Sequence, residues 1–283
     1  MAGEGLDARG FIRHPPKVDL SQKQTGSGMR GLKDRIAVVT GGASGIGRAI
    51  VLRLADEGAR PVIFDIDEAG AAAVAKQAVA NGGKASARRC DITDFAAVEA
   101  AVAATEEETG PIDFLVNNAG WDVPADFLDT DPDFWAKVVG INLMGPIHMH
   151  HAVLKRMTER GAGRVVNISS DAGRVGSSGE AVYSACKGGV IAFTKTLARE
   201  LARRGVTLNT ICPGPTDTPM FDAFKAASAD GARLADGLAR AIPMRRLAQP
   251  DDYPGLVAFL LSDDAAYITG QTVSVSGGLT MHG

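Results

Sequence analysis

The run Ile36-Ala37-Val38-Val39-Thr40-Gly41-Gly42-Ala43-Ser44-Gly45-Ile46-Gly47 decides the fold. Its apolar start reads as a buried strand. A glycine-rich bend follows, then a helical pattern through Ile50, Leu54 and Ala55. Gly41, Gly45 and Gly47 let the backbone turn tightly and approach a ligand, and a helix opening near Ile46 aims free N–H groups at a phosphate. A glycine cluster alone is weak evidence; strand, bend and helix in that order give it meaning. The spacing TGxxxGxG is wider than the dinucleotide fingerprint GxGxxG.

Outward from that run the alternation repeats. Residues 61–64, 84–90, 112–116, 164–168, 206–211 and 272–275 read as strands. Residues 71–79, 95–107, 133–160 and 181–203 read as helices, the third with a kink at Gly145-Pro146. Strands alternating with helices predict an α/β fold: one doubly wound, Rossmann-type domain with a parallel sheet covered on both faces. Residues 219–247 loosen the pattern. Met220, Phe221, Phe224, Leu234, Leu238 and Ile242 suit an amphipathic helical pair that covers a ligand, or an ordinary surface excursion. Residues 1–30 show no apolar periodicity and are expected to be an extension, with the domain spanning 31–283.

Composition narrows the class. A net charge of −3 over 283 residues gives no electrostatic reason to expect nucleic acid or an anionic membrane as partner. No apolar run is long enough to span a bilayer. Cys90, Cys186 and Cys212 are odd in number and have no CxxC spacing, so they read as small buried residues in a reducing compartment, and the expected location is cytoplasmic. No metal site is expected. His148 and His151 share a helix face, but no acidic or cysteine partner stands at ligand spacing.

Asp65 ends the second apolar run, where a carboxylate can accept hydrogen bonds from an adenosine ribose and would repel a 2′-phosphate. Ser44 brings no positive charge to the bend, and Arg48 lies inside the helix. NAD is therefore expected over NADP. Tyr183 and Lys187 stand one helical turn apart. Lowering a tyrosine from about 10 to near 7 takes roughly 4 kcal/mol of extra phenolate stabilisation, part of which a fixed cation supplies. By themselves the two also suit a surface pair.

Thr40-Gly41-xxx-Gly45-x-Gly47, Asn117-Asn118-Ala119-Gly120, Asn142, Ser170, Tyr183-xxx-Lys187 and Pro213-Gly214, in this order, resemble the short-chain dehydrogenase/reductase family over Leu32 to Gly283. The resemblance implies a sheet of seven parallel strands. It implies Tyr183 as general acid/base, Lys187 as the group that lowers its pKa and holds the nicotinamide ribose, Ser170 on the substrate oxygen, and Asn142 positioning a relay water. It places Gly41, Ser44, Gly45, Ile46, Gly47, Asp65, Asp91, Ile92, Asn118, Ala119, Gly120, Pro213, Gly214, Thr216 and Thr218 around the dinucleotide. Asp91 would face the adenine, Asn118 would support the central strand, and residues 213–218 would border the nicotinamide. Helix pairing between subunits, with the histidines at an interface, and a homotetramer are implied too.

Trp121-Asp122, residues 148–154 (HMHHAVL), residues 170–189, residues 212–218 (CPGPTDT) and residues 274–281 resemble the branch of that family that oxidises 2-hydroxycyclohexanecarboxyl-CoA. That implies a small-molecule substrate, a cyclic beta-hydroxyacyl-CoA, with Trp121 and Ser170 beside it. CoA phosphates need cations; Arg174, Arg245 and Arg246 are the candidates, with surface arginines as the alternative reading. The rival enzymatic readings are a dehydrogenase of a free alicyclic alcohol and a 3-oxoacyl reductase. A cofactor-binding scaffold without catalysis is the rival from another class.

Overall fold

The computed structural model describes residues 28–227 and 231–281. In chain order the elements are β1 Ile36–Thr40, α1 Gly45–Asp56, β2 Arg60–Asp65, α2 Glu68–Ala80, β3 Ser86–Arg89, α3 Phe95–Thr109, β4 Ile112–Asn117, α4 Pro132–Val139 and α5 Gly145–Arg160. They continue with β5 Gly163–Ile168, α6 Ala172–Val175, α7 Ala181–Leu201, β6 Val206–Pro213, α8 Pro219–Ala227, α9 Gly231–Ala241, α10 Pro254–Leu261 and β7 Thr272–Val275. The sheet order is β3-β2-β1-β4-β5-β6-β7, and every pairing is parallel. The chain order reverses between β1 and β4, so a crevice opens beyond the carboxyl ends of those strands.

The buried strands alternate their side chains between two cores. Ala37, Val39, Ile63, Val116 and Val166 pack with α1, α2 and α10 on one face. Ile36, Val38, Val62, Phe64, Leu115 and Leu208 pack with α3 and α5 on the other. Aspartates start three of the helices: Asp67, Asp94 and Asp131 each accept a backbone N–H of the first turn.

Three of the differences from the sequence expectation have a physical reason. β3 is shorter than residues 84–90, because it is the polar edge strand and pairs on one side only. The break in the long helix is a π turn over Gly140–Met144, just before the expected kink at Gly145-Pro146. Pro146 has no N–H to give the carbonyl of Asn142, which favours a wider turn there. The expected extension lies outside the described residues up to residue 27. Residues 28–30 are fastened to the domain: Met29 packs against the core, and its N–H donates to Glu57 Oε2 at 2.8 Å.

Candidate active site

The bend after β1 has a shape that only glycine permits. A Cβ at Gly41, where φ is +65°, would sit 2.7 Å from Ala119 Cα. The loops after β1 and β4 therefore meet backbone to backbone at the switch point. Asn118 locks them, its Nδ2 donating to the carbonyls of Thr40 at 3.1 Å and Gly41 at 3.0 Å. Asp65 ties in the end of β2: its carboxylate accepts the N–H groups of Ala43 and Asp67, each at 3.0 Å.

These loop ends enclose a cavity of about 1310 Å³, more than a substrate of ordinary size needs. Every expected cofactor residue lines it except Gly47. Gly47 is a correction. A Cβ there would lie 2.1 Å from the Gly41 carbonyl oxygen, so this glycine lets α1 pack onto its own bend and touches no ligand space. The residues fit a dinucleotide. The α1 N-terminus has no acidic residue in its first turn and opens towards the cavity at Ser44, Gly45 and Ile46. At the other end Asp65 and Asp91 bring carboxylates to where a ribose and a base would lie. The guanidinium of Arg48 is turned away onto Gln77 at 2.9 Å.

Tyr183, Lys187 and Ser170 line the same cavity, from α7 and from the end of β5. Ser170 Oγ accepts the N–H of Ala172 at 3.1 Å and shares a hydrogen bond with the Tyr183 hydroxyl. Lys187 Nζ donates to the Ile168 carbonyl at 3.1 Å and stands 5.4 Å from the Tyr183 ring centroid. Burial pulls the Lys187 ammonium down to about 8. Ser169 is occupied in holding α7, donating to the Lys187 carbonyl at 2.8 Å.

Asn142 is fully buried on the π turn behind this wall. Its Nδ2 donates to the Trp121 carbonyl at 2.6 Å and to the Val138 carbonyl at 2.9 Å, and its Oδ1 accepts the Trp121 N–H at 3.2 Å. Its side chain therefore fixes the loop that carries Trp121 and Asp122. Tyr183 departs from the expected electrostatics. Burial, then Glu180, then Asp122, push the phenol above its ordinary range, and the Ser170 hydrogen bond only partly offsets them.

Trp121 lines the cavity with Lys137 Nζ 3.8 Å over its ring. Lys137 also lines the cavity, and nothing in the local pattern of α4 distinguishes it from a surface lysine. The three candidate arginines all have partners within the chain. Arg174 donates to Ser274 Oγ of β7 at 2.9 Å, Arg245 donates to the Arg240 carbonyl at 2.5 Å, and Arg246 forms a two-point pair with Asp252 at 2.6 and 2.8 Å. None lines the cavity. From the cover segment, Met220, Phe221 and Leu238 reach it. The side chains of Phe224 and Leu234 lie outside the described set. His148 contacts the Ile92 carbonyl through Nδ1 at 2.9 Å, and its ring and that of His151 stand about 5.5 and 5.4 Å from Phe95. His150 is buried beside Asn167 and Asn117, held neutral by burial at about 4.

The family model described as Enoyl-(Acyl carrier protein) reductase matches residues 41–280. A 3-oxoacyl-[acyl-carrier-protein] reductase of Vibrio harveyi is 40% identical over 250 residues, 88% of this chain and 99% of the relative. An acetoacetyl-CoA reductase of Allochromatium vinosum is 42% identical over 250 residues, again covering 88% and 99%. Among solved structures, a single-substitution variant of actinorhodin polyketide ketoreductase with NADPH superposes with a TM-score of 0.85 at 38% identity, covering 90% of this chain and 100% of that one. An NAD+-bound xylitol dehydrogenase superposes with 0.84 at 34% identity, covering 88% and 100%. With the switch-point cavity and the Ser170, Tyr183 and Lys187 cluster, these likenesses assign the chain to the short-chain dehydrogenase/reductase family, oxidoreductases that act on hydroxyl and keto groups.

Proposed function

We propose that this chain interconverts a secondary alcohol and a ketone on the beta carbon of an acyl thioester, using NAD(H). The observation that carries the reading is one cavity with Tyr183, Ser170 and Lys187 at one end and Asp65 at the other. The nicotinamide, when bound, supplies or accepts the hydride. Ser170 donates to or accepts from the substrate oxygen and fixes it beside the Tyr183 hydroxyl. Tyr183 gives that oxygen its proton in reduction and takes it back in oxidation. Lys187 holds a positive charge against the phenol and, by family analogy, the nicotinamide ribose. Asn142 fixes the Trp121 loop beside them, and a relay water near it follows the family pattern. Asp65 holds the adenosine ribose and disfavours a 2′-phosphate.

The relatives' names support a 3-oxoacyl thioester. The narrower reading, 2-hydroxycyclohexanecarboxyl-CoA, rests on the branch resemblance and on the Trp121 wall, which suits a ring. A homotetramer and a cytoplasmic location belong to the same reading by family analogy; no described helix is long and apolar enough to cross a membrane. The test is absorbance at 340 nm with acetoacetyl-CoA and NADH or NADPH, and with 2-hydroxycyclohexanecarboxyl-CoA or free cyclohexanol and NAD or NADP. Turnover of either thioester with NAD(H) supports the proposal. Turnover of the free alcohol alone discards the thioester, and preference for NADPH discards the Asp65 argument.

A further inference from the structure

A buried polar cluster lies behind the catalytic wall, and the reaction outlined above uses none of it. Its centre is His150 of α5, only 1% exposed. A carbonyl oxygen can only accept, so the 2.6 Å contact between His150 Nδ1 and the Pro146 carbonyl puts the imidazole proton on Nδ1. Nε2 is then the acceptor, and Asn167 Nδ2 donates to it at 3.2 Å. The other N–H of Asn167 donates to Thr194 Oγ1 of α7 at 2.8 Å, and Asn167 Oδ1 accepts from Asn117 Nδ2 of β4 at 2.9 Å. Thr194 in turn donates to the Val190 carbonyl at 2.7 Å. Asn117 Nδ2 also stands 3.4 Å from His150 Nδ1, where two donors face each other and no bond forms. Each bond of the cluster has its direction fixed, so the ring has one tautomer and one orientation. Phe193 closes the pocket, edge-on to the imidazole with ring centroids 5.2 Å apart. Stability alone does not account for the cluster. Asn117 Oδ1 is buried with no partner, a cost that an apolar filling would avoid.

We propose that His150 is a positioning residue for the reaction, setting the π turn of Asn142 against the end of β5 and against α7. The inference rests on the reading of Ser170, Tyr183 and Lys187 as the reacting cluster. Each partner in the network is a short way along the chain from a residue of the site. Pro146 stands in the first turn of α5, directly behind the π turn. With no N–H of its own it leaves that turn short of a backbone bond, and the imidazole holds it by its carbonyl instead. Asn142, on the π turn, fixes the Trp121 loop. Asn167 precedes Ile168, whose carbonyl holds Lys187 Nζ at 3.1 Å, and Ser170 follows just beyond the strand. Asn117 pairs with Asn167 in the sheet and precedes Asn118, which locks the loops after β1 and β4. Thr194 lies on the helix that carries Tyr183 and Lys187. One side chain therefore couples the π turn, β4, β5 and α7. Without it these segments can shift against one another, and a misplacement of about 1 Å at the reacting atoms costs about a hundredfold in rate.

The experiment is kcat, KM and NADH affinity with acetoacetyl-CoA as substrate, and melting temperature, for the wild type, His150→Phe, His150→Asn, His150→Gln and Tyr183→Phe. His150 does not line the cavity, so KM and NADH affinity should hold in every His150 variant. His150→Phe keeps a ring and loses both nitrogens, and its kcat should fall about ten- to a hundredfold. His150→Asn returns an N–H near the Nδ1 position and should recover most of that loss. His150→Gln carries its amide nearer the Nε2 position and should not. A melting temperature that falls with kcat unchanged overturns the proposal, and so do Asn and Gln variants of equal kcat; the cluster is then packing. If His150→Phe folds poorly, the comparison of Asn with Gln decides. Wild-type kcat in His150→Phe, with Tyr183→Phe inactive, overturns the positioning role and leaves the acid/base reading intact. Tyr183→Phe at the wild-type rate overturns that reading and the positioning role with it.

Discussion

Tyr183, Asp65 and Asp122 each turn burial into a measurable preference. Replacing Tyr183 with phenylalanine keeps the packing and removes the proton, so kcat should fall about 10²- to 10⁴-fold with KM little changed. Asp65 uses its oxygens on Ala43 and Asp67 and still presents charge to the cavity. Asp65→Ser should raise the NADP-to-NAD ratio of kcat/KM by at least about tenfold, because discrimination here is a repulsion removed. Asp122 makes a prediction about stability. Its folded pKa of about 7 lies above the ordinary aspartate value of 3.8. Between those values the folded state holds a proton that the unfolded chain has lost, so stability falls as pH rises through that window. Asp122→Asn removes that dependence. Its melting temperature should gain on the wild type from about pH 4 to about pH 7 and keep a constant lead above; a lead unchanged across the window contradicts the burial argument.

At the level of elements, most of the sheet was legible. Its central strands are apolar on both faces, and helical segments separate them. α10 was given no bounds from the sequence, since Pro254–Leu261 is apolar throughout and offers no periodic face. The π turn was not legible, because its cause is an absent N–H at Pro146 rather than a pattern. The site was legible where a motif is local, as at Tyr183 and Lys187. It was not where a contact spans the chain: Arg174 is held by Ser274, a hundred residues on, and Gly47 is set against Gly41 by the pitch of α1. Glu180 looked like any carboxylate before a helix. Gly145 shows how tightly α5 is seated, since a Cβ there would stand 2.4 Å from Ile92 Cδ1. Gly145→Ala should cost about 1–3 kcal/mol through overpacking, read as a drop in melting temperature.

For the whole molecule, the dinucleotide cavity joins the segments that follow all seven strands. Its occupant should therefore act as a clasp on the entire sheet. NADH at about a hundred times its Kd should stabilise the fold by about 2.7 kcal/mol, and Gly47→Ala, by displacing the bend from α1, should abolish that gain. The cover is built differently. α8 and α9 pack chiefly on each other, while the sheet and its flanking helices form a closed body beneath them. Only Met220, Phe221 and Leu238 of this pair's described residues look into the cavity, beside Pro219 at its start. If this segment covers the substrate, as proposed, chemistry and appetite would be carried by separable parts of one chain. Selection can retailor the cover for a new acyl group while the hydride machinery is inherited untouched, and a cover grafted from a relative should bring that relative's taste in substrates without altering how the proton moves.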